Sequence, residues 1–299
     1  MCITLWIVIT VTFMLMHAIP GDPLSRLARE LPPQIKVNYY EKYGLDKPVI
    51  GQYFIYIKNI IHGDLGESLT NPGRGVKETI QKYAPVTAIL GFQSIVIGFF
   101  VGNILGIIAA LNRNKWTDYL VMIIALLGVS IPSFVLAALL QYVFTVQNVW
   151  LPTTGWSGFS YTILPSIALS FSVFATYARF MRTSCLDVIG QDYILTAKAK
   201  GVSKLSLIWN HITRNAILPS ITILGPQLAN IMVGSFVIER IFAIPGIGTN
   251  FVSSISNRDY TMIMGMTIFY AALYIFAILI VDVLYSIVDP RIRLNGEKR

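Results

Sequence analysis

The sequence predicts an all-α integral membrane protein, a bundle of six transmembrane helices with a folded extracytoplasmic segment after the first. Three observations lead there. The 299 residues are 55% hydrophobic and only 13% charged, with a mean hydropathy of +0.64, whereas a soluble domain carries about 25% charged residues. The apolar residues gather in charge-free stretches, 1–19, 86–111, 119–147, 161–178, 215–238 and 260–281, each long enough to cross about 30 Å of hydrocarbon as a helix. Strands of a membrane barrel would alternate apolar and polar residues over segments of about 10 residues, and no such alternation dominates this chain.

The formal charge of +8 is explained by where the cations sit. One set of loops holds Arg113 and Lys115, then Arg179, Arg182, Lys198, Lys200, Lys204 and Arg214, then Arg291, Arg293, Lys298 and Arg299. Cationic loops stay on the cytoplasmic side, so both termini are placed inside. The opposite short loops carry only Arg240 and Arg258, each beside an acid, Glu239 or Asp259. The remaining Lys and Arg lie in 20–85, a segment long enough to be largely exempt from the rule. The basic surplus is therefore topogenic, and no nucleic-acid partner is expected.

The first span, 1–19, opens without the usual cationic flank, and MHAIPGDP offers no clean cleavage site, so an uncleaved first helix with its basic flank missing is expected. The segment 20–85 is too polar for lipid and too long for a connector. Within it, VIGQYFIYIKNIIHG places Ile50, Tyr53, Phe54, Ile57, Ile60 and Ile61 on one helical stripe with Gly63 as the stop, an amphipathic cap on the bundle or on membrane lipid. GDLGESL reads as a turn and GVKETIQKYAP as a short helix leading into the second span, 86–111. That span puts Gly98, Gly102 and Gly106 on one face, where a neighbouring backbone can approach closely. Pro132 falls inside the third span, 119–147, and Pro219 and Pro226 in or near the fifth, 215–238, and each bends its helix by removing a backbone hydrogen bond. The fourth and sixth helices are expected near 161–181 and 260–284, with a tail over 291–299.

Several function classes are excluded. Ionisable groups are nearly absent from the spans, His17 and Asp282 lying at their ends, which disfavours an ion-coupled secondary transporter. There is no H-E-x-x-H, no G-x-S-x-G and no phosphate-loop motif. His17, His62 and His211 are isolated, so no metal site is expected. Cys2 and Cys185, the latter placed in an inner loop, predict no disulfide.

The inner loop 182–214 carries the most information. In QDYILTAKAKGVSKLSLIWNHITRNAILP, residues 191–200 are good helix formers, Gly201 suits a left-handed helix end, and Ser203 can cap a second helix running to about Arg214. Two short helices meeting at a glycine elbow make a rigid knob that can take force from a soluble motor. The same spacing also fits an amphipathic hairpin whose Lys198, Lys200 and Lys204 rest on anionic headgroups.

These residues resemble the cytoplasmic coupling loop of permease subunits in bacterial ABC importers, in the D-Y-x-x-T-A-K-A-K-G form of the peptide/nickel branch. Further matches are GLDKP (44–48), QY (52–53), GDLGESL (63–69), IPSF (131–134), RNAILP (214–219), GSFVIERIFAIPGIG (234–248), NRDYT (257–261) and DVLYSIVDPRIR (282–293). The chain is similar over nearly its whole length to the B-type permeases of oligopeptide importers. It departs from the general pattern at Leu195, Thr196 and Ala197, where the wider family has Glu-Ala-Ala. It departs again where His211 precedes a late Leu218-Pro219. The peptide branch shares both departures.

The resemblance implies the ABC transmembrane type-1 importer fold over 86–290, and it implies partners. These are a second homologous permease, two ATP-binding subunits that hold the ATP and magnesium, and an extracytoplasmic substrate-binding protein. It leaves no cofactor and no ATPase site on this chain. The loop residues it assigns to ATPase coupling are Asp192, Tyr193, Thr196, Ala197, Lys198, Ala199, Lys200, Gly201, Ser203 and His211. Asn230, Gly234, Ser235 and Glu239 follow one face of the fifth span and are candidates for the pathway. The expected cargo is peptide, oligopeptide ahead of dipeptide, with nickel or a metal chelate or opine as the alternative.

Overall fold

The computed structural model describes residues 2–18, 37, 41, 44, 46–227, 231 and 235–288, apart from the side chains of 281, 282 and 284–288. Its helices are α1 Cys2–Ala18, α2 Val49–Ile61, α3 Val76–Leu111, α4 Trp116–Ser130 and α5 Ser133–Gln141, the last continued by a π-helical turn over Tyr142–Gln147. Then follow α6 Ser160–Ile189, α7 Asp192–Ala199, a helical stretch α8 over 204–216, α9 Leu218–Thr222, α10 Phe236–Ile241, α11 Ile247–Ser256 and α12 Tyr260–Val288. Packing sorts the chain into two compact units, Met1–Thr87 with Gly246–Ile275 and Ala88–Pro245 with Phe276–Arg299.

Among the described residues three helices, Val76–Leu111, Ser160–Ile189 and Tyr260–Ile280, are long and apolar enough to cross a membrane. The pair Trp116–Ser130 and Ser133–Gln147 makes a fourth crossing when the bent pair counts as one span. The 17 residues of α1 extend about 25 Å. The expected span 215–238 includes 228–230 and 232–234, which lie outside the described residues, and its flanks form the short helices α9 and α10.

Several expected boundaries are corrected. The short helix expected before residue 86 and the second span are one 36-residue helix, α3, with Pro85 inside it. The third span starts at Trp116 rather than 119 and breaks by 103° at Ile131 and Pro132. Pro132 has no N–H to donate and forces the residue before it out of helical geometry, so Ile131 takes an extended ψ of 120°. The fourth helix does not stop near 181 but runs on to Ile189, and the inner loop begins at Gly190. Cys185 therefore lies on a helix and is wholly buried, not in a loop.

In the unit built on Met1–Thr87 and Gly246–Ile275, α1 and α2 meet through Phe13, whose ring faces those of Tyr53 and Tyr56. Tyr53 also shares a 2.7 Å hydrogen bond with Thr10, and His17 one of 2.9 Å with Gln52. Among the described residues the tyrosine side of α2 packs on α1. Ile50, Phe54 and Ile61, on the stripe expected to rest on the bundle or on membrane lipid, are 72, 65 and 76% exposed, an apolar face of the kind that lipid covers.

The same unit joins two motifs far apart in sequence. GDLGESL turns tightly, Gly66 N donating to Asp64 Oδ1 at 2.8 Å, and hands its hydroxyls to Asp259 of NRDYT. The Asp259 carboxylate accepts from Ser68 Oγ, from Leu69 N at 3.1 Å, from Thr70 Oγ1 at 3.0 Å and from Met262 N at 3.2 Å. It thus caps the first turn of α12 while pinning the loop 63–75. Removing it strands several buried donors, each costing about 1–3 kcal/mol. Asp259→Ala is expected to loosen that loop, and trypsin should then cut at Arg74 several times faster than in the parent chain.

In the second unit α6 is the central element. Its buried face carries Leu164, Ala168, Val173, Ala175, Tyr177, Ala178, Met181 and Cys185. The glycines of α3 lie directly against it. A Cβ on Gly98 would sit 2.6 Å from Val173 Cβ, one on Gly102 2.8 Å from the Phe174 carbonyl oxygen, and one on Gly106 2.6 Å from the Ala178 carbonyl oxygen. On the other side Gly128 of α4 meets Ala175 and the Phe171 carbonyl in the same way. Small residues replace side-chain interdigitation with backbone contact, which favours association where no hydrophobic gradient exists. The expected packing role of the three glycines is what the structure shows.

Candidate coupling surface

The loop expected to form an elbow does so. α7 ends in a Schellman motif, with Gly201 N donating to the Lys198 carbonyl at 3.0 Å and Val202 N to the Ala197 carbonyl at 3.2 Å. Gly201 takes φ +77°, a region where any Cβ is strained. Ser203 then caps α8, its Oγ accepting from Ser206 N at 3.4 Å. The second helix tightens and loosens along its length, passing through a π-helical turn at Leu207–Thr213 that includes His211.

What makes the elbow stiff is a buried cluster beneath it. Ile194 and Ala197 of α7 pack with Leu207, Ile212 and Ala216 of α8, with Met181 and Cys185 of α6, and with Ile107 and Ala110 of α3. Both arms of the elbow are therefore fixed to the ends of two long helices. A third long helix joins through charge. Arg182 of α6 grips Asp118 of α4 with two bonds, Nε to Oδ1 at 2.6 Å and a terminal guanidinium nitrogen to Oδ2 at 2.8 Å. Asp118 also accepts from Asn114 N at 3.0 Å, fixing the α3–α4 turn. It is 3% exposed and Arg182 25%. A force applied to α7 and α8 thus reaches α3, α4 and α6 together.

The outer surface of the elbow mixes cations with apolar groups. Asp192, Thr196, Lys198, Ala199, Lys200, Ser203 and Lys204 are exposed and Ala197 is buried. Tyr193 is 44% exposed, Leu195 59%, Leu205 71% and Trp209 58%. Leu205 and Trp209 escaped the sequence reading, although both lie off the phase of the buried stripe Leu207, Ile212 and Ala216. Leu195, the position where the wider family carries Glu, points outward.

The pathway candidates divide. Ser235 and Glu239 are wholly buried, and Ser235 Oγ donates to Glu239 Oε1 at 2.8 Å. Asn230 and Gly234 lie outside the described residues. In the other unit, Arg74, Glu78, Lys82 and Tyr83 line an open polar cleft of about 470 Å³. Arg74 is held there by Thr79 and Asn250.

Comparison with known proteins decides the lineage. Residues 102–294 match the family described as binding-protein-dependent transport system inner membrane component, and residues 1–90 match its N-terminal companion. The chain belongs to this family of binding-protein-dependent permeases. The dipeptide transport system permease protein DppB of Bacillus subtilis is 44% identical over 99% of this chain and 96% of its own length. The oligopeptide transport system permease proteins OppB of Salmonella typhimurium and Escherichia coli are 42% and 41% identical, each over 97% of this chain and 95% of its own length. The crystal structure of an amino acid ABC transporter with histidines aligns with 72% of the permease and 94% of its own chain, at a TM-score of 0.51 and 17% identity. That likeness establishes the fold. The permease is an all-α, multi-pass membrane protein with the type-1 importer architecture that its sequence predicts.

Proposed function

We propose that this permease forms half of the translocation pathway of an ATP-driven peptide importer and receives the power stroke through the elbow over 190–216. The cargo we infer is a peptide, because its relatives are named as dipeptide and oligopeptide permeases. A second, homologous permease completes the path. Two ATP-binding subunits, which hold the ATP and magnesium, grip one elbow from each permease, and a substrate-binding protein delivers cargo outside. The basic loops 112–115 and 190–216, and with them both termini, face the cytoplasm of a bacterial cell membrane.

The observation that carries this reading is the pairing of an exposed apolar and cationic surface, Tyr193, Leu195, Leu205, Trp209 and Lys198, with a buried cluster that fastens it to α3 and α6. An amphipathic hairpin resting on lipid would need no such anchorage. Closure of the ATPases on ATP rotates the elbow, and because packed helices shift as rigid bodies the rotation tilts the bundle.

The test is copurification of the tagged complex in mild detergent. Trp209→Ala is expected to release the ATP-binding subunits while leaving the second permease bound, since truncating a large aromatic anchor in an interface costs about 2 kcal/mol or more. Gly201→Pro, whose fixed φ cannot reach the observed angle, should do the same. Retention of the ATPases by both variants, with full ATP-driven uptake, would remove the elbow from the mechanism.

A further inference from the structure

The long helices present apolar residues wherever they are open. Phe92, Phe100 and Ile104 of α3 are 65, 58 and 50% exposed, and Ile123 and Leu126 of α4 55 and 59%. Such faces suit lipid or an apolar partner. α6 departs from this. From Ser172 to its end the open side of the helix bears Ser172, Thr176, Arg179, Thr183 and Asp187, spaced four, three, four and four residues apart and hence on one face, with Phe180, 45% exposed, along its edge. Thr176 is half-buried and the other four are exposed. Nearer Ser160 the same face is covered, with Pro165, Ala168 and Leu169 buried. Counted from Ser160 along the helix, Ser172 lies about 18 Å, Thr176 about 24 Å and Arg179 about 29 Å down, so the first two fall well within a hydrocarbon core of about 30 Å and Arg179 at its far edge.

The two neighbouring arginines sharpen the contrast. Arg182 is spent on Asp118, whereas Arg179, one turn back and exposed, has no carboxylate partner among the described residues. The hydroxyls are already satisfied along the helix, Thr176 Oγ1 donating to the Ser172 carbonyl at 3.0 Å and Thr183 Oγ1 to the Arg179 carbonyl at 3.1 Å. They keep oxygen lone pairs for a passing N–H but hold no free donor to trap a solute.

We propose that this face, Ser172 to Thr183, is the wall of the aqueous path in the half of the membrane nearer the elbow, and that Arg179 binds the terminal carboxylate of a peptide in transit. The proposal rests on the peptide-importer reading above and supplies its missing pathway residues. A hydroxyl-lined wall with one fixed cation reads the backbone and the C-terminus that every peptide has, and ignores side chains.

The experiment uses the whole importer in inside-out vesicles, with Cys2→Ser as background and the buried Cys185 left in place. Thr176→Cys and Ile123→Cys are treated with a charged, membrane-impermeant thiol reagent. A thiol in water ionises and reacts whereas one in lipid does not, so Thr176→Cys is expected to label about tenfold faster or more, and peptide should protect it. In parallel, Arg179→Gln is expected to raise KM about tenfold for a peptide with a free C-terminus, the loss of one charge-assisted bond, and to leave KM unchanged for the same peptide amidated at that end. Equal, slow labelling at both positions would place the face in lipid. Labelling that appears only after the second permease is stripped away would make it a subunit interface. An equal effect of Arg179→Gln on both peptides would remove the carboxylate contact. Any of these outcomes overturns the proposal. A failure of the importer reading looks different: cells carrying the unsubstituted complex would show no ATP-dependent peptide uptake whatever the labelling pattern.

Discussion

Gly102→Val is expected to dismantle the helix packing of the second unit. Even the first carbon of a side chain there would lie 2.7 Å from Tyr177 Cβ and 2.8 Å from the Phe174 carbonyl oxygen. The Phe174 carbonyl is backbone and cannot swing aside. α3 and α6 must separate, and every contact above and below Gly102, including those at Gly98 and Gly106, separates with them. Overpacking a tight core costs about 1–3 kcal/mol and occasionally more, and a branched residue against backbone belongs at the upper end. Thermal unfolding of the detergent-solubilised complex should fall by many degrees, with ATP-driven uptake lost at growth temperature. Gly190→Ala is the matched control, since its nearest neighbours stand 3.7 Å away and no effect is expected. Equal stability of the two variants would show that the α3–α6 contact is not the tight one described.

Asp118→Ala has the second large effect. It leaves the Arg182 guanidinium without its two acceptors and the Asn114 N–H without its one. Breaking a buried ion pair by deleting one partner costs about 3–5 kcal/mol, and the lower end applies because Arg182 keeps 25% of its surface exposed. Removing both partners leaves no stranded charge, so Asp118→Ala with Arg182→Ala is expected to be more stable than Asp118→Ala alone. A double-mutant cycle on the melting temperature reads this directly. Additive losses would mean that the two side chains do not act as a pair. Coupling should suffer in either variant, because α4 is then no longer tied to the helix that carries the elbow.

The positions that the sequence made legible are those governed by local chemistry. The Gly201 turn follows from helix formers ending at a residue without Cβ, and the structure reproduces it with φ +77° and a Ser203 cap. The break at Pro132 was legible for the same reason, although not its size. Two things at the elbow were not. Arg179 and Arg182 read as loop charges, so α6 was expected to stop near 181 rather than at Ile189. It continues because Met181 and Cys185 on its other face are drawn into the cluster under the elbow and Arg182 finds Asp118. Leu205 and Trp209 passed unnoticed because an apolar residue in a helical segment is ordinarily assigned to a core, and only the packed structure shows which side the core takes.

The sequence by itself determined that the chain lives in a membrane, which loops carry its charge, where its helices turn and, through its motifs, which family it belongs to. Each of these depends on hydropathy, glycine, proline and charge within a window of a few turns. The tertiary structure alone decided which faces meet. Asp118 and Arg182 are 64 residues apart, and Ser68 and Asp259 are 191 apart. No local window contains both members of such a pair. In a membrane, moreover, apolar residues face lipid as readily as they face one another, so hydropathy marks a span without marking its buried side. That side is chosen by where small residues allow backbones to touch and where a lone charge finds its counterpart, and both are properties of the assembled helices.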